Sequence, residues 1–485
     1  MSTPATEPCD LSAVEARRLI GARKLSPVEL LESCLKRTAE TNPAINAVVA
    51  SDETLGRKTA KAQEADVMAG RPLGLLHGLP VGVKDLEPVK GLRSTWGSLI
   101  FKDHVPEKDA PTVANVRAAG ANIFAKTNTP EFGAGANTRN RVYGATGNPF
   151  DPTLTAAGSS GGSAAALAVG QMPLATGSDY GGSLRTPSAF CGIMGFRPSI
   201  GQVPYWDRVA GLIPWSVRGP MGRSVEDAYL LFRAQVEEAR DDPFSVAALE
   251  LPEALAPADL AATRIAFTPD FGQSPVAKNI RATFADRMRR IASWAPTFEE
   301  ATPDYSGIHE IFEIHRGIAF VTNHREKLEK HRDLLDRNVI SNTEQGLKLT
   351  ITDVARGMAE QHKLMQRVNA FFDAWDVLIA PAASVSPFPH AQLFVEEIDG
   401  ERMPNYLRWM SLAYAPTMAL CCAAAIPCGR DDKGLPFGIQ VIGPRGSDMM
   451  VWQTALALER MFAGDAATAR PLPDLARLAA ADKKA

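Results

Sequence analysis

At 485 residues, 45% hydrophobic and 22% charged, the chain has the composition of a globular protein able to bury a large core. Its net charge of −3, with no basic block, argues against a nucleic-acid or membrane-surface partner. The six cysteines (Cys9, Cys34, Cys191, Cys421, Cys422 and Cys428) include no CxxC pair and are too sparse for a disulfide framework, so free buried thiols are expected and a zinc site is not.

The first twenty residues show no basic stretch followed by an apolar one, so no secretory leader is expected. The longest weakly polar run, Thr417 to Cys428, is too short to span a bilayer. A cytoplasmic location follows as an expectation. Asp10 is positioned to cap a first helix. Ser26-Pro27-Val28-Glu29 has the form of a capping box with proline at the first helical position, and Leu31, Cys34 and Leu35 share one face behind it. Two helices are therefore expected in the first 40 or so residues, then a short strand over Asn46 to Ala50. A helix is expected from Asp109 to about Gly120, and a buried strand over Asn122 to Lys126. This alternation predicts an α/β protein. Glycine and proline concentrate between residues 70 and 222, a more polar stretch runs from Asp241 to Tyr305, and His309 to Phe372 is helical in pattern. No internal repeat and no clear inter-domain linker is visible.

Two Gly-Ser clusters carry the chemical signal. One is Gly158-Ser159-Ser160-Gly161-Gly162-Ser163; the other is Gly177-Ser178-Asp179-Tyr180-Gly181-Gly182-Ser183. Successive backbone amides in such loops can cradle an anion, which in acyl transfer is the tetrahedral oxyanion. Simple tight turns are the competing reading of either cluster alone. A serine nucleophile needs a base. None of the eight histidines sits in an obvious triad context. Lys84 ends the apolar run Leu79 to Val83, and desolvation there would lower its pKa and make it a usable base; a strand-end lysine reaching out to solvent is the alternative. Gly158 to Gly162 also matches G-x-S-x-G, which would make Ser160 the nucleophile. Ser33-Cys34-Leu35-Lys36 matches S-x-x-K, but it lies in an expected surface helix and S-D-N and K-T-G are missing. There is no phosphate-binding P-loop.

Taken together, the two clusters, Lys84 and the stretch Cys191-Gly192-Ile193-Met194-Gly195-Phe196-Arg197-Pro198 resemble the amidase signature family. Lys84 precedes Ser159 by 75 positions and Ser159 precedes Ser183 by 24, both in keeping with that family. Lys126 to Phe132, Gly219 to Ala228 and Gly434 to Gln440 add to the likeness, which is dense over 70–230 and thin over 240–370. The resemblance implies a Ser-cisSer-Lys amidase of the stand-alone type. Ser183 would be the acylated nucleophile, Ser159 (after a cis peptide bond) a proton relay, and Lys84 the base. Tyr180, Gly181, Gly182 and the Ser183 amide would supply oxyanion donors, and Gly133 would lie beside the substrate. It also implies a single α/β domain with a central mixed sheet covered by helices on both faces, here with residues 1–60 as a helical segment packed on a catalytic region of 61–485. No cofactor is expected. The implied partner is a small amide, anilide, carbamate or ester, with neither nucleic acid nor membrane, on a monomer or homodimer. The stretch Thr417 to Gly429 departs from the family's usual Asn-x-x-Gly-x-Pro pattern. A glutaminase-type component of a tRNA-dependent amidotransferase complex shares the core motifs and is the second reading; Ile213 to Pro220 resembles stand-alone amidases more closely. Pocket walls are expected from residues 133–143, 205–216 and 305–345, with Tyr205, Trp206, Trp215, Ile311 and Phe312 as candidate apolar contacts or ordinary core.

Overall fold

The computed structural model describes residues 7–208 and 211–481. Eleven strands form one mixed sheet: β1 Val48–Ser51, β2 Pro80–Lys84, β3 Asn122–Thr127, β4 Leu174–Asp179, β5 Met194–Arg197, β6 Val217–Gly222, β7 Ile265–Phe267, β8 Phe298–Glu300, β9 Val377–Pro381, β10 Cys422–Arg430 and β11 Pro436–Gly443. Their spatial order is β1-β3-β2-β4-β6-β5-β10-β11-β9-β7-β8. The β3-β2-β4 block is parallel, so the carboxyl ends of these strands lie along one edge, and β6 returns antiparallel to β4. Ligands gather at the carboxyl ends of parallel strands.

Side chains leave the sheet alternately to its two faces. Ile123 of β3 and Leu174 of β4 join one apolar cluster, while their neighbours Phe124 and Ala175 join another. Helices cover both faces: α1 (Ala13–Gly21), α2 (Pro27–Ile45) and α3 (Glu53–Met68) come from the N-terminal region, followed by α4 (Pro111–Ala118), α5 (Gly161–Ala168), α6 (Arg185–Cys191) and α7 (Val225–Gln235). The later helices include α8 (Lys278–Ala292), α9 (Ile308–His331), α10 (Arg337–Gly346), α11 (Ile351–Phe371), α12 (Ser411–Met418) and α13 (Asp448–Ala463). The architecture is thus a single α/β domain. Every residue of α5 is buried, because its Gly and Ala side chains let it lie directly against neighbouring chain. A Cβ on Gly162 would stand 2.2 Å from the Asn128 amide nitrogen.

The capping box at Ser26 forms as expected, with Ser26 Oγ accepting from Val28 N and Glu29 Oε2 accepting from Ser26 N. Two expectations change. Ser12, not Asp10, caps α1 by accepting from Glu15 N; Asp10 pairs instead with Arg37 on α2 at 3.0 Å. The helix expected from Asp109 begins at Pro111, and the Asp109 carboxylate takes the Lys90 amide and the Arg117 guanidinium. The S-x-x-K match on α2 comes to nothing, since Ser33 Oγ accepts from Cys9 N and Lys36 pairs with Glu7. The divergent Thr417 to Gly429 stretch is the end of α12, a turn with Leu420 at φ 60°, and most of β10, buried almost throughout. All six cysteines are free and buried, and no helix among the described residues is long and apolar enough to cross a membrane.

The largest core cluster centres on Trp452 of α13, which stacks on Phe196 at 4.0 Å and meets Tyr229 and Phe232 edge-on or tilted. Trp452→Ala should cost about 3–5 kcal/mol through lost burial and the cavity left behind. The exposed Met358→Ala should stay within about 0.5 kcal/mol. Paired urea denaturation curves would check the contrast.

Candidate active site

Lys84 is the last residue of β2 and has no exposed surface. Its backbone amide donates to Thr176 Oγ1 on β4, and its Nζ reaches three hydroxyls: Ser159 Oγ at 2.7 Å, Ser160 Oγ at 2.9 Å and Ser178 Oγ at 2.9 Å. Burial holds the amine well below the ordinary lysine range, and the positive charge of Arg218 pushes the same way. Glu87 and Asp179 act in the opposite sense but do not win.

Ser159 and Ser160 lie immediately before α5, and the Gly158–Ser159 peptide bond is cis. Ser160 N donates to Ser183 O at 3.3 Å, which ties the two Gly-Ser clusters together. Gly133 sits at φ 73°, and a Cβ there would stand 3.4 Å from Ser159 Oγ. Gly133, Ser159, Ser178, Tyr180 and Ser183 all line one cavity of about 380 Å³. Ser183 is half-buried, and its hydroxyl bonds to no protein atom among the described residues.

The loop from β4 to α6 that presents Ser183 is held by a buried cluster. Asp179 accepts from Arg185 Nε at 3.0 Å, from Arg197 at 3.2 Å, from Gly182 N at 2.8 Å and from Leu184 N at 3.2 Å. The two guanidinium groups outweigh the cost of burial and hold this carboxyl well below the usual carboxylate range. Arg185 also donates to Gln440 Oε1 and Thr417 Oγ1, and Arg197 donates to the Asp179 and Trp215 carbonyls. The Gly182 amide is therefore turned toward Asp179. The Tyr180, Gly181 and Ser183 amides have no acceptor among the described residues. Gly182 itself, at φ 106°, has no room for a Cβ, which would meet that of Ala413 at 2.3 Å.

A sequence profile of the family described as Amidase matches residues 29–452. The chain belongs to the amidase signature family. It is an amidase, a hydrolase of carbon–nitrogen bonds. It is 31% identical to an acylamidase of Rhodococcus erythropolis over 93% of this chain and 95% of that one. It is 32% identical to a glutamyl-tRNA(Gln) amidotransferase subunit of Symbiobacterium thermophilum, over 93% and 96%. Among solved structures it is similar to a bacterial aryl acylamidase of the amidase signature family, with a TM-score of 0.86 at 28% identity over 93% and 96% of the two chains.

Several features of this amidase's site lie outside the sequence expectations. Ser178 completes the hydroxyl ring around Lys84; the period of two along β4 places it on the same face as Thr176. Leu86, Trp96 and Phe101 line the cavity from a stretch with no expected role in its walls. Tyr205, Ile213, Phe132 and Phe320 line it too, whereas Trp206 is exposed and Trp215, Ile311 and Phe312 are core. One histidine, His324, reaches the cavity; burial and the nearby cations lower its pKa to about 3, and it packs on Phe132 and Phe320. None of the histidines bonds to Ser159 or Ser183 among the described residues.

Replacing Asp179 by asparagine would leave Arg185 and Arg197 buried without their shared charge partner, at about 3–5 kcal/mol. Because folding depresses the Asp179 pKa, its stabilisation is present above the ordinary carboxylate value and is lost as pH falls below it. Urea unfolding of Asp179→Asn should therefore show a deficit at neutral pH that narrows at acid pH.

Proposed function

We propose that the chain is a stand-alone amidase working through a Ser183 acyl-enzyme, with Ser159 as proton relay and Lys84 as base. The observation that carries this reading is the fully buried Lys84 amine, 2.7 Å from a serine that shares a cavity with Ser183. A buried amine is inclined to be neutral, and a neutral amine has a lone pair to accept a proton. Ser160 already has an acceptor for its hydroxyl proton in the Ser178 carbonyl, so Ser159 is the hydroxyl best placed to give its proton to Lys84.

In the proposed reaction Lys84 Nζ draws the proton of Ser159, Ser159 Oγ draws that of Ser183, and Ser183 Oγ bonds to the substrate carbonyl carbon. The oxyanion that forms is met by the Tyr180, Gly181 and Ser183 amides, with Gly182 setting the turn that aims them. The carbon–nitrogen bond then breaks as Ser159 passes a proton to the departing nitrogen, and Lys84 returns one to Ser159. Water repeats the relay on the acyl-enzyme and releases the acid. The likeness to an acylamidase and an aryl acylamidase, together with the aromatic walls Trp96, Phe101, Phe132 and Phe320, favours amides and anilides, with carbamates and esters as related substrates. Likeness to a tRNA-dependent amidotransferase component supports a second reading, a glutaminase within a larger complex. The purified chain alone, without ATP, tRNA or partner, should turn over an aryl amide; strict dependence on such partners would favour the second reading.

Ser183→Ala should reduce kcat on an anilide by about 10⁴–10⁶-fold. Near-normal turnover by Ser183→Ala with a dead Ser160→Ala would move the nucleophile to Ser160.

Turnover should rise with pH along one basic limb as Lys84 loses its proton, at a pH below the ordinary lysine value of 10.5. Lys84→Arg should be nearly inactive because arginine does not give up its proton. His324→Ala should keep the limb. A pH profile of kcat/KM for these variants checks all three outcomes, and loss of the limb in His324→Ala would replace the lysine base by a histidine.

A further inference from the structure

The cavity contains one buried cation whose side chain has no hydrogen-bond or ion-pair partner among the described residues. Arg218, on β6, is 5% exposed and lines the cavity. Its side chain donates no hydrogen bond and forms no salt bridge with any described residue; Glu87 and Asp207 act on it only at a distance, and Tyr205 meets it with its ring face. Other arginines near the site each hold polar partners within the protein. Arg185 and Arg197 share Asp179, Arg208 holds Asp242 and three carbonyls, and Arg316 holds Asn342 and Tyr406. A guanidinium has five donors, and a buried one left empty is costly unless something else fills it.

Its position is fixed and close to the reacting groups. Arg218 pairs in register with Ser178, the residue that bonds Lys84 Nζ, and cross-strand partners project from the same face. The guanidinium lies 4.1 Å above the ring centroid of Tyr205, so its plane is held while its edge stays free. The rest of the lining is also cationic: Arg208, Arg316 and Lys327 stand against a single acid, the exposed Asp207.

We propose that Arg218 is a specificity-determining residue that binds a carboxylate carried by the substrate, so that this amidase prefers amides with an acidic end. The planar fork of the guanidinium matches a carboxylate with two parallel hydrogen bonds. The aromatic walls then hold the body of the molecule while the acidic end is anchored near Lys84. The inference rests on the Ser183 acyl-enzyme reading for the reaction itself and adds which amides the site selects.

The test compares matched pairs at one fixed pH. The first series sets the monoanilides of succinic and glutaric acid against butyryl and valeryl anilides of equal length. The second sets acyl amides of 4-aminobenzoic acid against those of 4-methylaniline. In at least one series, wild-type kcat/KM should favour the acid by about tenfold or more, as expected for a charge-assisted pair. Arg218→Gln should bring that ratio to one or below, and Arg218→Lys should keep part of it. Using the ratio cancels any effect of the Arg218 charge on Lys84. A wild-type ratio at or below one in both series overturns the proposal, even if the variants fail to fold. So does a preference for the acid that survives Arg218→Gln. Failure of the acyl-enzyme reading would appear separately, as turnover persisting in Ser183→Ala whatever the ratio.

Discussion

A lysine amine with no exposed surface, ringed by three serine hydroxyls, is the constraint around which this structure is arranged. Water cannot solvate it, so its charge is costly and its neutral form is favoured. That condition requires β2 to be an interior strand, paired on both sides by β3 and β4, with its carboxyl end covered. It also requires the first turn of α5 to press close against neighbouring chain. The glycines there do so at separations no larger residue permits, as at Gly162 against Asn128 and Gly161 against Thr138. The Ala-rich α5 follows from the same crowding, since larger side chains would hold it away from the sheet.

A second buried cluster supports the first. Asp179 gathers two arginines and two backbone amides, and so determines where Ser183 stands at the end of β4. Gln440 extends the cluster across the sheet: its Oε1 accepts from Arg185, and its Nε2 donates to the carbonyls of Pro381 and Leu412. This explains the Gly434 to Gln440 stretch in physical terms. Gln440 is a clamp on the loop that carries Ser183, and Gly438 is small because a Cβ there would stand 2.9 Å from Ala189 on α6. Far parts of the chain thus meet at the site through buried polar groups, which are costly to leave unpaired.

How legible this was depended on how local each signal is. Lys84, Ser159 and Ser183 could be singled out because apolar and glycine-rich runs flank them closely, and alternating strands and helices announced the α/β class. The Ser26 cap was legible for the same local reason. Asp10 and Asp109 misled because an acidic residue near a helix start has other uses; here each serves an arginine. Ser178 and Arg218 acquire their meaning from strand register, which no single segment contains. Leu86 and Trp96 come from turns after β2, and Phe101 from a single 3-10 turn, where no periodicity marks a wall. The divergent Thr417 to Gly429 stretch left its effect open in the sequence; in the fold, Thr417 bonds Arg185 and β10 pairs with β5 and β11.

The central claim, that acyl transfer passes through Ser183, is tested most directly by trapping the intermediate. The enzyme would be mixed with a slowly turned-over aryl ester or carbamate, quenched in acid, and read by intact mass and peptide fragmentation. A single acyl adduct on Ser183, absent from Lys84→Ala and from unreacted protein, is the expected result. An adduct on Ser160 or Ser159, or full turnover with no adduct on any serine, would contradict the account.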